Sequence, residues 1–565
     1  MYHTLHQPGK SWENWLQQFF YPLLLAGIIA NISGLFLTIL EPDGALYATI
    51  AKTMAQTNDF INMKMEGKDW LDKPHFPFWI TALSYQVFGV TTFAYKFPAL
   101  LFWIMGGWYT WRFAFSIYNR SVAQLAVLIY VTALHLVISN NDVRAEPYLT
   151  GLIIGSVYHF YVAAGSGKRN ILHIIMGALL AACAAMTKGP FVVIIIGAGL
   201  VMHWLITRDY KQFLHYRWWI AILLTAIFTL PELYCLYVQF DLHPEKIVFD
   251  RQGVSGIRFF FWDSQFGRFF NTGPIKGKGD PFFYLHTVLW AFLPWSLLLY
   301  AAIMQSIRRF KNRTTSNTEY ITLFTIIVTF LLFSLSRFQL PHYMNIIFPF
   351  FAIITARYLY HMSNVKAIKW IYGVQLGICI LIVLLMLLLI FLFHFDNTFV
   401  IACSIALASV LLFFVFRGRT LQAAMGKTTG LSIVLYCFLN IFFYPPLLRY
   451  QSGSEAAFYI NKLPSNIPVA TYPGSSYSLS FYIERPLYYW NKEEIQMHAA
   501  EGSIWLFGKQ AELDSLKSEN QQWKVLKTFP HFHISQLTGR FINHTTRQQA
   551  LEEYVLVEVK FPIAK

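Results

Sequence analysis

Apolar stretches near the roughly 20 residues that carry a helix across a hydrocarbon layer recur along about four-fifths of the chain. This recurrence limits the fold more than any other feature, because a soluble domain can hide one or two such runs as core helices but has no interior for so many. Composition agrees: of 565 residues, 56% are hydrophobic, 18% aromatic and only 13% charged. The chain reads as an all-α polytopic membrane protein.

The formal charge of +15 raises the question of nucleic acid, and the placement of the basic residues answers it. Arg112, Arg120, Lys168, Arg169, Arg208, Lys211, Arg217, Arg308, Arg309, Lys311, Arg313, Arg357, Lys366, Lys369, Arg417, Arg419 and Lys427 all fall between apolar runs. That is the positive-inside pattern, so the excess orients the chain and no nucleic-acid partner is expected. Thirteen spans follow, at 17–40, 93–111, 121–138, 145–163, 171–187, 190–206, 217–238, 283–304, 319–335, 343–359, 370–393, 398–416 and 429–446. The N-terminus is expected in the cytoplasm, and the first apolar run, which lacks a small-residue cleavage site, is expected to be retained as a helix. The opposite face then receives 41–92, 139–144, 239–282, 336–342, 394–397 and everything after 446. At 171–206 the tight turn Thr187-Lys188-Gly189-Pro190 leaves a re-entrant hairpin as an alternative to two spans. The five cysteines lie in or beside apolar runs with no paired spacing, so neither a disulfide framework nor a metal site is indicated.

Within the first outward segment, 44–56 and 77–87 have helical apolar spacing but are short for spanning, and are expected as amphipathic helices on the membrane surface. From about residue 450 the composition becomes that of an ordinary soluble domain. Strands are expected at 469–471, 487–490, 503–507, 523–529 and 554–559, with helices at 493–500 and 510–519. The organisation is thus a transmembrane unit, 1–446, and a small outer-face α/β domain, 447–565.

Polar residues suited to chemistry gather on the outward face. Glu41-Pro42-Asp43 stands where the first helix ends, and Asp43 either caps the next helix or faces a cleft. Trp70-Leu71-Asp72-Lys73-Pro74-His75 holds a charged pair in a proline-stiffened turn, with Lys73 presenting a cation to a phosphate or snorkelling to headgroups. Asp142, Arg144 and Glu146 open a spanning helix, as ion pairs or as functional groups. The loop 239–282 sets Arg251, Arg258 and Arg268 among phenylalanines, a pattern that can clasp a phosphate while rings contact an isoprenoid chain. Arg337, His342 and Tyr343 lie on a further polar turn.

In this order the segments resemble the GT-C membrane glycosyltransferases, in the branch holding protein O-mannosyltransferases and the aminoarabinose transferase that modifies lipid A. The resemblance covers roughly 17–350, on Asp43 to Ala48, Asp72-Lys73-Pro74, Thr187-Lys188-Gly189-Pro190 and Leu340-Pro341-His342-Tyr343. It implies Asp43 and Glu146 as catalytic carboxylates and Lys73, Arg268 and Tyr343 as carrier-phosphate ligands. Asp72, His75, Asp142, Arg144, Lys188, Arg337 and His342 would be supporting residues. Gly44 and Leu46 depart from the family, which often carries a glutamate and an arginine there. The implied activity is inverting transfer of a monosaccharide from a polyprenyl-phosphate carrier to a lipid, glycan or protein acceptor at the outer face of the cytoplasmic membrane, with no cofactor and no metal. A transporter or flippase, or a non-catalytic assembly subunit, are the alternatives from other classes; the charges at one face and the lack of an internal repeat speak against the transporter.

Overall fold

In the computed structural model the described residues are 8–165, 170–311, 319–464, 466–474, 476–517 and 522–560. Lys168, Arg169 and Arg313 of the basic loops, and the end of the 510–519 stretch, lie outside them.

A helical segment covers each of the thirteen apolar stretches. Among the described residues six are long and apolar enough to cross a membrane, or up to seven if the pair Arg120–Val131 and Leu134–Asn141, bent by 51°, is one broken span. The rest are shorter or interrupted. The 283–304 stretch divides into Phe283–Ala291 and Ser296–Lys311 around Pro294, whose ring removes an amide donor. The 343–359 stretch begins as the 3-10 turn Pro341–Ile347 before the helix Phe348–Tyr360. The 171–206 region forms two helices, Asn170–Lys188 and Phe191–Thr207, joined at Gly189. Polar side chains start several helices where the apolar runs begin: the Thr91 hydroxyl accepts from the Ala94 amide and the Asn364 side chain from the Ala367 amide. One cap moves a boundary. Thr420 caps Leu421–Cys437, so that helix starts eight residues before 429, and Lys427, expected in a cytoplasmic loop, is buried within it, its ammonium donating to Tyr372 Oη at 2.8 Å.

The helix Glu146–Ala164 is the centre of the bundle, buried on nearly every side between Thr92–Ile117 and Asn170–Lys188. Peripheral helices do the reverse: Trp370 is 76% and Phe399 78% exposed, which suits a lipid surround. Amides tie the first and last helices to this core. Asn140 donates to Asn31 and Asn141 to Asn440, both at 2.7 Å. Gly34 makes the approach possible, since a Cβ there would lie 1.9 Å from Asn141 Oδ1.

The helices expected at 44–56 and 77–87 appear as Asp43–Thr57 and Phe76–Phe88, packed on each other. Between them the two-residue strands Lys64–Met65 and Lys68–Asp69 form a hairpin. Gln239 interlocks this hairpin with the long loop after residue 239, accepting from the Met63 amide at 3.0 Å and donating to the Met63 carbonyl at 2.8 Å.

All five strands expected after residue 450 are present, as a mixed sheet in the order Leu487–Tyr488, Val469–Thr471, Ile504–Lys509, Glu552–Lys560, Gln522–His531. The first three run parallel and the last two pair antiparallel. The sheet is bolted to the segment 41–92. Lys52 Nζ donates to the carbonyls of Ser480, Phe481 and Ile483 at 2.8–3.0 Å. Tyr482 Oη accepts from the Ile39 amide, and Gln451 receives the Glu41 amide and donates to the Ile39 carbonyl.

Candidate active site

Three turns meet above the central helix. The cis Glu41-Pro42 peptide delivers Asp43 into the first turn of its helix, the proline-bounded turn delivers Asp72 and Lys73, and Val143 to Glu146 open the central helix. With Lys188 from the next helix end and Arg268 from the short helix Phe266–Phe270, they enclose a cavity of about 140 Å3. Its remaining wall is Tyr47, Ile275, Phe338, Leu340, His342 and Tyr343.

The charges are paired. Asp72 bridges two cations, one carboxylate oxygen to Lys73 and the other to Arg268. Burial raises the Asp72 carboxyl, but Lys73 and Arg268 beside it reverse the effect and hold it below its ordinary value. Burial likewise lowers Lys73 below its ordinary value. Arg144 donates to Asp43 Oδ2 at 2.7 Å and to Asp142 Oδ2 at 2.8 Å, so one guanidinium fixes two carboxylates. Glu146, fully buried, pairs with Lys188, whose ammonium also lies 3.7 Å from the Tyr343 ring centre. His342 stands 3.8 Å from Glu146 Oε1, and burial keeps its imidazole well below its ordinary value, hence neutral. Of the ionised side chains lining the cavity, Asp43 is the most open, at 36% exposure.

Four cations (Lys73, Arg144, Lys188, Arg268) and three carboxylates (Asp43, Asp72, Glu146) line the cavity, with Asp142 behind on Arg144. Among the described residues, Arg268 Nε is buried without a hydrogen-bond partner, a donor left over for an anion. Asp72, Lys73, Lys188 and Arg268 also line a narrow cleft with Phe260. Phe260 in turn lines an apolar groove of about 500 Å3, together with Ala185, Pro190, Trp204, Trp218 and Leu230. A charged head site thus continues into a greasy channel along the helices.

Of the residues singled out from sequence, nine line the cavity, and three take other places. Asp142 sits behind it, on Arg144. His75 is turned into the protein: Glu232 accepts its amide at 2.9 Å and its Nδ1 at 3.1 Å, while Nε2 lies 2.9 Å from the Ile61 carbonyl. Arg337 is exposed and its amide donates to the Phe269 carbonyl. Arg251 and Arg258 of the aromatic loop are exposed too, leaving Arg268 as its contribution. The sequence reading passed over Tyr47, Phe338 and Glu232. Tyr47 had a signal, lying one helical turn after Asp43 on the same face. Glu232 had one as well, a carboxylate inside an apolar span.

In architecture the chain resembles the GT-C membrane proteins. A solved structure with the same fold is ArnT from Cupriavidus metallidurans bound to undecaprenyl phosphate, with a TM-score of 0.71 at 17% identity, covering 96% of this chain and 98% of that one. Residues 72–235 match the family described as dolichyl-phosphate-mannose-protein mannosyltransferase. In sequence the chain is similar to the undecaprenyl phosphate-alpha-4-amino-4-deoxy-L-arabinose arabinosyl transferase of Edwardsiella ictaluri (strain 93-146), 25% identical over 58% of this chain and 57% of that one. It is also 27% identical to an uncharacterized protein of Aquifex aeolicus (strain VF5), over 58% of this chain and 61% of that one. The chain thus aligns with less than two thirds of the length of either relative. The resemblance read from the motifs, to the GT-C branch of aminoarabinose and protein mannosyl transferases, stands.

Proposed function

We propose that the protein is a glycosyltransferase moving a monosaccharide from a polyprenyl-phosphate carrier to a hydroxyl acceptor, lipid A or another envelope glycan, lipid or protein, at the outer face of the cytoplasmic membrane. One observation carries the reading: Lys73 and Arg268 converge on a single carboxylate at the mouth of an apolar groove, beside the open carboxylate of Asp43. The groove takes the isoprenoid chain, and the two cations with Lys188 take the phosphate. Thirteen crossings would set the N-terminus in the cytoplasm and the cavity and sheet domain outside.

The acceptor oxygen attacks the anomeric carbon from the face opposite the carrier, so the configuration inverts. The bond from that carbon to the phosphate oxygen breaks, and the leaving phosphate keeps the electron pair. Lys73 and Arg268 meet its growing negative charge, the largest contribution such a site can make. Asp43 takes the hydroxyl proton, with Arg144 holding it in place. Glu146 is too buried to reach the acceptor and serves by fixing Lys188. The site carboxylates are all matched to cations, and the reaction as written calls for no metal or cofactor.

The test is transfer from a panel of radiolabelled polyprenyl-phosphate sugars by purified protein. Asp43→Asn is expected to abolish transfer while retaining carrier binding, and Lys73→Ala to lose both. Full transfer by either variant refutes the assignment.

A further inference from the structure

A second cavity, of about 200 Å3, lies where the sheet domain meets the first outer turn. Glu41 and Pro42 form its wall toward the bundle, and the next residue, Asp43, lines the charged cavity. One turn of chain therefore separates the two spaces. Glu41 is fixed in place: its Oε1 accepts from the Ser476 hydroxyl at 3.0 Å and from the Ser478 amide.

The lining is unlike that of the carrier site. It is rich in hydroxyls and rings, from Ser452, Thr471, Tyr472, Tyr477 and Tyr554, with His531 held by the Ser452 hydroxyl at 2.9 Å and tilted against the Tyr554 ring at 4.6 Å. Its charged members are Glu41, Glu512 and Lys509, and Lys509 is already matched by Glu552 at 2.6 Å. The balance is negative, which disfavours a phosphate. Thr471 adds a second sign of a ligand: its residue is 3% exposed, and among the described residues its hydroxyl is buried without a partner. Carboxylates, hydroxyls and aromatic faces together suit a ring that carries hydroxyls on its rim and C–H groups on its faces.

We infer that this cavity binds a hydroxylated, phosphate-free sugar ring of the acceptor, next to the ring whose hydroxyl is attacked at Asp43. The inference rests on the transferase reading for its purpose and on the cavity alone for its chemistry. Holding a neighbouring ring fixes the register of the acceptor over Asp43, and so selects which hydroxyl is glycosylated.

The experiment uses the full-length protein in detergent, with methyl α-glucoside, glucosamine and glucose 1-phosphate as probes in ligand-observed NMR titrations. Methyl α-glucoside or glucosamine is expected to bind, glucose 1-phosphate more weakly. Thr471→Val and Glu512→Gln should each weaken binding by about fivefold or more, the loss of one hydrogen bond to a polar or charged partner. Both variants should still bind undecaprenyl phosphate as the parent does. Binding by neither unphosphorylated sugar, binding indifferent to both substitutions, or preference for the phosphorylated probe overturns the inference. Lys73→Ala separates the two readings: carrier binding that survives it sinks the transferase site, whereas its sugar binding should be unchanged.

Discussion

Glu232 grips His75 twice, at the backbone amide and at the ring, and so anchors the turn that carries Lys73 to a helix of the bundle. The ring is held at both nitrogens, with Nδ1 3.1 Å from the Glu232 carboxylate and Nε2 2.9 Å from the Ile61 carbonyl. Replacing Glu232 by Ala leaves the buried His75 amide and Nδ1 without their partner and is expected to destabilise the protein by about 1–3 kcal/mol. Glu232→Gln keeps an acceptor for the amide and should lose less, with weakened carrier binding as its main effect. Thermal unfolding alongside carrier titration checks both; a Gln variant with parental carrier affinity would show that the anchor does not serve Lys73.

The bridge made by Asp72 sets an acid limit on stability. Its carboxyl is held below the ordinary value in the fold, so its contribution is complete above the unfolded value of about 3.9 and is lost as pH falls below it. Asp72→Asn leaves Lys73 and Arg268 without their shared counter-charge and is expected to melt lower than the parent at pH 7. The difference should shrink below about pH 4, where the unfolded chain takes up a proton at this position while the folded carboxylate does so only at still lower pH. Melting curves from pH 7 to pH 3 decide it, and a gap unchanged at pH 3 would count against the bridge.

Gly189 turns the chain between two helices at φ +112°, a conformation that L side chains rarely adopt. Gly189→Ala is expected to cost about 1–2 kcal/mol from backbone strain. It would also press on the Gln265 side chain, 2.1 Å from the new Cβ, and shift Lys188 one residue away. Reduced carrier affinity with the fold retained is the expected result by titration and circular dichroism.

Lys52 closes three carbonyls at the end of the helix Tyr477–Tyr482. Lys52→Met leaves them without this donor, at about 1 kcal/mol for each. The sheet domain should loosen before the bundle does. Faster hydrogen exchange and trypsin cleavage after residue 446, with unchanged exchange in Glu146–Ala164, is the expected pattern.

Much of this was legible in the sequence because hydrocarbon imposes its own grammar. Apolar runs marked the helices; Asp43, Glu146, Lys188 and Tyr343 stood at or near their ends and Lys73 and Arg268 in the long segments between them, where ionisable groups pair or act. What could not be read was the pairing. Arg268 reaches Asp72 across 196 positions and Lys188 reaches Glu146 across 42, and no local pattern encodes such distances. His75 and Arg337 shared motifs with true cavity residues, yet alternate side chains of a tight turn point different ways, one inward to Glu232 and one to the surface. The five outer strands showed in their residue types, whereas the two-residue hairpin at Lys64–Asp69 was too short to display any period.

Asp72 occupies the position between Lys73 and Arg268 that a phosphate would covet, and answers both with one carboxylate. On the transferase reading, an arriving carrier would meet a resident rival. It would have to share the two cations, which tempers its grip, and when the spent phosphate departs the same carboxylate would re-form the bridge behind it. Such a lodger would make release as well provided for as capture.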